Sequence, residues 1–382
     1  MRIRSLKSHW LALQVNNLVI DLAAPSNLSY HWNWGSLLGA VLVLQLLSGL
    51  FLSIHYNSAT ELAFFSVERI IREINGGWLL RYSHAIGASI FFFAVYCHIA
   101  KAIYYGSYLK PRIFLWNLGI ILFFLLIGVG FIGYVLPWSA IGFWGSTVIT
   151  TIITAIPVIG QEIVLWIWGG FSVDFPTLNR FFSFHFVLPF VLAGAVILHI
   201  AALHKSGSGN PIGINISSDI IPFYPYYTSK DVLGIFLFMI FIGGFLFFSP
   251  NSLGHADGYT EANPLVTPSL ISPEIYFLSF YAILRSIPSK LGGVLAIVFA
   301  ILILGLQPFL HTANIKSHWF KPISKVIFWS FVANFLLLTI LGAKHAEEPY
   351  IFTAQISTLF YFSYFLILIP IIGKIEEKLS II

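Results

Sequence analysis

The sequence predicts an all-α polytopic membrane protein, and three observations carry that reading. Only 9% of the 382 residues are charged and 58% are hydrophobic, against roughly 25% charged residues in an ordinary soluble domain. The mean hydropathy is +0.87. Apolar runs repeatedly reach the roughly 20 residues that a helix needs to cross a hydrocarbon core, where every backbone polar group must be satisfied within its own segment.

In chain order the spans fall at about 34–54, 78–104, 114–136 and 181–203, then 232–248, 291–309, 323–341 and 351–372. The first four predict an N-terminal four-helix bundle over residues 1–210, and the second four a C-terminal four-span domain over 211–382. Two further apolar stretches are too short to cross. Residues 150–169 hold Pro157 and Gly160 between apolar arms and predict a helical hairpin lying along the surface, and 271–287 has the same amphipathic, interfacial character.

Eight crossings put both ends of the chain on one side. That side carries 13 of the 20 lysines and arginines, among them Arg2, Arg4, Lys7, Lys101, Lys110, Arg112, Lys230 and Lys321, for a formal balance of +8 against −3 opposite. By the positive-inside rule both ends face the negative (N) compartment, and the other surface is the positive (P) one. The basic residues near the start are followed by Asp21 and Pro25 before the first long apolar run, unlike a cleaved signal peptide.

The net charge of +5 is scattered between apolar segments instead of gathered on one face, which argues against nucleic acid as a partner. A single cysteine, Cys97, excludes a disulfide framework, a Cys-ligated zinc site or an iron–sulfur cluster carried by this chain alone.

The chemistry-bearing pattern lies in the second and fourth spans. His84 and His98 share one helix and His185 and His199 the other, both pairs 14 residues apart. Fourteen steps of about 100° and 1.5 Å bring the chain to within about 40° of four full turns and about 21 Å along the axis. Each helix thus shows two histidines on nearly one face, one toward each surface. The two helices run in the same direction, so His84 is level with His185 and His98 with His199.

An imidazole on each side of a flat macrocycle holds haem iron with both axial positions filled, a state suited to electron transfer, and two such pairs predict two stacked haems. Interhelical hydrogen bonding accounts for one such histidine, but four ionisable residues at matched spacing inside a membrane point to a functional site.

Glycines repeat the same interval on the first and third spans, at Gly35 and Gly49 and at Gly119 and Gly133. A residue without a side chain lets a flat ligand approach the backbone, although the run from Gly35 to Gly39 also fits small-residue helix packing. Cations lie outward of the histidines: Arg81 before His84, Lys101 after His98, and Arg180 before His185. They are candidate partners for haem propionates, or else side chains snorkelling at span ends. No C-x-x-C-H sequence is present, so the haems would be non-covalent, of b type.

With these residues in place the sequence resembles the cytochrome b family of the respiratory quinol–cytochrome c reductase, the cytochrome bc complex of mitochondria. The resemblance covers nearly the whole chain. It includes Gly-Trp-Leu-Leu-Arg-Tyr-Ser-His at 77–84, Gly-Tyr-Val-Leu-Pro-Trp at 133–138, Phe-Trp-Gly at 143–145, Pro273-Glu274 with Tyr276-Phe277, and Tyr-Ala-Ile-Leu-Arg-Ser-Ile-Pro at 281–288.

The resemblance implies a proton-motive quinone cycle in the mitochondrial inner membrane, with both ends of the chain on the matrix side. Quinol (ubiquinol) is oxidised near the P side. One electron passes to a partner Rieske iron–sulfur protein and cytochrome c1, and the other crosses through the two haems to reduce ubiquinone near the N side. Because an electron moved against the membrane potential costs about 2.3 kcal/mol per 100 mV, the P-side haem should be the weaker acceptor. Other complex subunits, membrane lipid and a dimeric complex are further implied partners.

For quinol oxidation the matching residues are Glu274 and Tyr276, under Phe131, Tyr134, Gly145, Pro273 and Tyr281. For quinone reduction they are His204, Ser208, Lys230 and Asp231, with Ser36 nearby. The sequence departs from the family at Ile275, where tryptophan is usual, and at Ser139, where glycine is usual, which bears on the shape of the oxidation site and its inhibitor sensitivity.

Two other classes share part of this pattern. A di-haem reductase fed by a soluble donor would keep the histidine ladder but have no use for the Pro-Glu and Tyr-Phe loop. A secondary transporter would also place polar residues at mid-membrane, with inverted repeats and broken helices as its signs.

Overall fold

The computed structural model describes residues 20–214 and 218–379 together with positions 9, 13 and 16. Arg2, Arg4 and Lys7, which enter the charge balance, lie outside the described residues. Among the described residues eight helices are long and apolar enough to cross a membrane. They are numbered here as spans: 1, Trp34–His55; 2, Gly77–Tyr104; 3, Ile113–Val135; 4, Phe175–Ser206; 5, Tyr226–Phe248; 6, Lys290–Leu310; 7, Pro322–Gly342; and 8, Tyr350–Leu379.

The expected order holds, and local chemistry moves the ends. Span 4 begins earlier than hydropathy alone places it, because Asp174 accepts from the Phe175 N–H at 2.8 Å and Thr177 completes a capping box, with a proline in the first turn. Span 8 passes through a π-helical turn at Tyr364–Leu368 and continues past residue 372 to Leu379.

The surface hairpin is larger than expected. Its arms are Ala140–Ile152 and Gly160–Trp168, the first opened by Ser139, whose hydroxyl accepts from the Gly142 N–H. Gly169 closes the second arm at φ 71°, a left-handed conformation that favours glycine. In the 271–287 stretch only the part from Ile275 onward is helical, a 3-10 turn at Ile275–Phe277 leading into Leu278–Ser286.

A helix and a strand pair were not foreseen. Thr60–Arg72 is an amphipathic helix with Ala63 and Ile70 buried and an Arg72–Glu68 ion pair outside, too polar to read as a span. A three-residue antiparallel pair joins Ala23–Pro25 to Ile220–Pro222, and strands that short leave no periodicity to read.

One buried apolar cluster runs through both groups of spans. Two aromatic side chains inside it find backbone acceptors, which buried Trp and Tyr favour. Trp116 Nε1 donates to the Leu304 carbonyl and Tyr361 to that of Ala300, both at 2.7 Å, tying spans 3 and 8 to span 6.

The helix Leu278–Ser286 is set hard against the end of span 7. A Cβ on Gly342 would stand 2.1 Å from the Leu278 carbonyl oxygen. The Arg285 guanidinium donates to the carbonyls of Leu341, Gly342 and Lys344 at 2.9–3.1 Å, satisfying groups that the helix end leaves free.

Candidate functional site

At one end of the first four spans His84 and His185 stand with ring centroids 6.1 Å apart and planes at 84°. Each Nδ1 is engaged. That of His185 lies 3.0 Å from the Val129 carbonyl, which can only accept, so Nδ1 carries the proton and Nε2 the lone pair. His84 Nδ1 lies 3.0 Å from Ser48 Oγ, whose single hydrogen is committed to the Leu44 carbonyl at 2.6 Å. Ser48 therefore accepts from His84, and the lone pair again falls on Nε2. This is the arrangement in which neighbours orient a metal-ligating imidazole.

The geometry fits an iron between the rings. The 6.1 Å between ring centroids leaves room for one metal ion, which both imidazoles would hold. The backbone is cut back against both rings: a Cβ on Gly49 would meet His84 Cε1 at 3.0 Å, and one on Gly133 would meet His185 Cε1 at 2.3 Å. His84, His185, Gly49, Gly133 and Arg81 line a common cavity of about 270 Å³. The donor set and the cradle suit a flat, bis-imidazole iron macrocycle.

Glu274, Tyr276 and Tyr134 line the same cavity. Glu274 is only 9% exposed, and burial pushes its carboxyl up to about 7 against the opposing pull of the Tyr134 hydroxyl and Arg81. A carboxylate so tuned is divided between its two forms near neutral pH, as a proton acceptor requires. Tyr276, also buried, stacks on Phe92 of span 2 with centroids 4.2 Å apart and planes at 2°.

The other residues expected around an oxidation site lie outside the cavity wall. Phe131 meets Phe181 edge-on at 5.9 Å. Tyr281 donates to the Ile271 carbonyl at 3.2 Å and carries the Arg285 guanidinium 4.4 Å above its ring. Gly145 has open space where a Cβ would point, and Pro273 precedes Glu274 in the loop. Ile275 is 47% exposed, and Ser139 serves as a helix cap.

Toward the other end of the same spans, Gly35 faces His98, with 3.9 Å from a built Cβ to Cε1, and Gly119 faces His199 at 3.3 Å. The Leu115 backbone lies against His199. Lys101 holds its ammonium 4.1 Å above the Trp32 ring. Arg180 turns instead to the surface hairpin, donating to the carbonyls of Trp166 and Ile167. Of the three expected cations, only Arg81 lines the cavity.

Of the expected reduction-site residues, Ser36, Lys230 and Asp231 are linked here through Asn33. Ser36 Oγ lies 2.7 Å from Asp231 Oδ1 and 2.8 Å from the Asn33 carbonyl. Lys230 donates to the Leu28 carbonyl at 2.5 Å, and its own carbonyl accepts from Asn33 Nδ2 at 3.0 Å. His204 carries a buried, unpartnered Nδ1. The Ser208 carbonyl accepts from Arg112 at 2.9 Å.

Sequence reasoning missed Ser48, the Val129 carbonyl, Phe92 and Asn33. Ser48 left one usable signal, a hydroxyl beside the periodic Gly49. The others act through backbone groups or ring packing, which no spacing encodes.

Residues 19–207 match the family described as cytochrome b/b6/petB, and residues 261–362 the C-terminal cytochrome b/b6/petD family. The chain is 54% identical over 359 residues to a cytochrome b of Rickettsia bellii, covering 94% of this chain and 90% of that one. It is 50% identical over 377 residues to a cytochrome b of Mycosarcoma maydis, covering 99% and 96%. Among solved structures, a chain of a hyperthermophilic respiratory complex III superposes with a TM-score of 0.92 at 31% identity, covering 98% of this chain and all of the other.

Proposed function

Because the chain belongs to the cytochrome b family, we propose that it holds two b-type haems, one between His84 and His185 and one between His98 and His199, and serves quinone chemistry at both ends. It is an electron-transfer subunit of quinol–cytochrome c reductase, a multi-pass membrane component of a multi-subunit respiratory complex. The single observation that carries the ligand assignment is the His84–His185 pair, whose Nδ1 atoms are both engaged and whose Nε2 lone pairs remain for a metal.

When bound, b-type haem would supply one-electron transfer, and His84 with His185 and His98 with His199 would hold it. Ser48 and the Val129 carbonyl orient the two rings, while Gly49 and Gly133 keep the backbone clear of them. Arg81 supplies positive charge at the cavity wall for haem propionates, and Lys101 does so at the other end.

Quinol must lose two protons as it loses two electrons. Glu274, in the same cavity as His84, accepts one of them, and Tyr276 and Tyr134 shape the wall beside it. At the far end the reverse reaction needs protons delivered. Asp231, steadied by Ser36, together with His204 and Lys230, stands at the ends of spans 4 and 5, where water can supply them.

The cavity end is the P side and the Asp231 end the N side, with both chain ends toward the matrix of a mitochondrial inner membrane. The chain's single cysteine leaves the iron–sulfur cluster to a partner of Rieske type, with cytochrome c1 beyond it. The complex is a dimer, and residues 1–210 and 211–382 divide the labour between haem binding and closure of the oxidation site. A redox-titrated optical difference spectrum of the purified complex, with extracted haem counted, tests this reading. Two b-type haems at separate potentials are expected; one haem on this chain would sink the paired-histidine assignment at one end, and none would sink it at both.

A further inference from the structure

Tyr96 of span 2 is wedged where three spans meet, its ring edge-on to Phe123 of span 3 at 5.9 Å and to Phe335 of span 7 at 5.3 Å. Phenylalanine would fill that space equally well. The hydroxyl is what distinguishes tyrosine, and inside a core it is costly unless it finds an acceptor. It finds one in the Tyr276 carbonyl, at 2.5 Å.

One helical turn earlier on the same face, Phe92 stacks flat on the Tyr276 ring at 4.2 Å. Span 2 thus grips one residue of the 3-10 turn twice, by its ring and by its backbone. Tyr276 is two residues from Glu274, whose carbonyl accepts from the Phe277 N–H at 2.8 Å inside the same turn. His84 lies on span 2 as well, about 12 Å along the axis from Phe92.

We propose that Tyr96 is a positioning residue for quinol oxidation: its hydroxyl holds the turn at 274–277 by the Tyr276 carbonyl and so fixes Glu274 in one rigid frame with His84. The assignment rests on the reading of Glu274 as proton acceptor. The charged and titratable groups facing Glu274 are Arg81 from span 2, Tyr134 from span 3 and its own neighbour Tyr276. Of these, Arg81 and Tyr134 are untouched by removing one oxygen from Tyr96, while Tyr276 loses the influence of that hydroxyl.

The test compares wild type, Tyr96→Phe, Phe92→Leu and Glu274→Gln in the intact complex, each with haem spectrum and content measured first. Quinol oxidation per haem is then followed from pH 5.5 to 9. In Tyr96→Phe, kcat/KM falls about ten-fold, mainly through kcat, as expected for loss of one buried hydrogen bond that aligns a reacting group. The rising limb of the pH profile moves to lower pH as Glu274 gains water, while the haem spectra stay unchanged. Phe92→Leu, which keeps the hydroxyl, shifts the limb the same way by less.

A merely structural role would lower haem content and leave the profile per haem where it was, and that result in both Tyr96→Phe and Phe92→Leu overturns the inference. Should the limb persist in Glu274→Gln, the proton-acceptor reading fails and the clamp with it. A limb lost in Glu274→Gln but unmoved in Tyr96→Phe overturns the clamp alone.

Discussion

The two ends of the first four spans repeat one motif, two histidines each with a glycine behind its ring, yet they are built differently. At the His84 end both Nδ1 atoms are engaged, the glycines leave 3.0 and 2.3 Å for a Cβ, and a buried carboxyl shares the cavity. At the His98 end the corresponding spaces are 3.9 and 3.3 Å, and the nearby polar residues bond to one another and to backbone at span ends. The difference matches the chemistry proposed for each. Taking protons from quinol calls for a dry, pre-organised acceptor, whereas handing protons to quinone can draw on groups near water.

The largest expected effect separates the ends outright. His84→Leu reduces the haem count from two to one and abolishes quinol oxidation. His98→Leu also leaves one haem, but the surviving spectrum is that of the other site and quinol still reduces it. Two haems in either variant, counted after extraction, would break the assignment.

Next comes the carboxyl found only at the His84 end. Below about 7 Glu274 is protonated and cannot take up the quinol proton, so turnover should climb as pH rises through about 7 and level off above it. Glu274→Gln should remove that limb and slow oxidation by about 100-fold with both haems intact. A limb that survives the substitution would assign the proton to another group.

A graded series then tests whether the His84 end is truly the tighter one. Gly133→Ala drives a methyl into the His185 ring and should cost about 1–3 kcal/mol by overpacking. Gly49→Ala should cost less, Gly119→Ala less again, and Gly35→Ala almost nothing. Loss of the haem absorbance on heating reads this order directly, and equal losses across the four would show that the two ends do not differ in tightness.

The smallest effect concerns the imidazole's hydrogen bond. Ser48→Ala removes the His84 Nδ1 partner and should shift the midpoint potential of the His84-end haem alone, leaving its neighbour in place. An unshifted potential would mean that Ser48 does not tune that ring.

The sequence by itself determined the eight spans and the two histidine pairs, because hydropathy and the helical repeat are local: a residue's face and depth follow from its distance to others on the same helix. The glycines at Gly35, Gly49, Gly119 and Gly133 were legible for the same reason, and each stands behind a histidine. Glu274 and Tyr276 were legible only through family resemblance, since nothing local distinguishes a loop carboxylate from a solvated one.

What the tertiary structure decided is which distant groups meet. It drew Arg180 to the carbonyls of the surface hairpin, away from the cavity, and left Phe131, Gly145, Pro273 and Tyr281 outside its wall. It brought Ser48 to His84, the Val129 carbonyl to His185 and the Tyr96 hydroxyl to the Tyr276 carbonyl. Such contacts form when a buried donor or acceptor takes whichever group the packing of other spans leaves within about 3 Å. That choice depends on the closure of loops far apart in the chain, and no period within a single helix contains it.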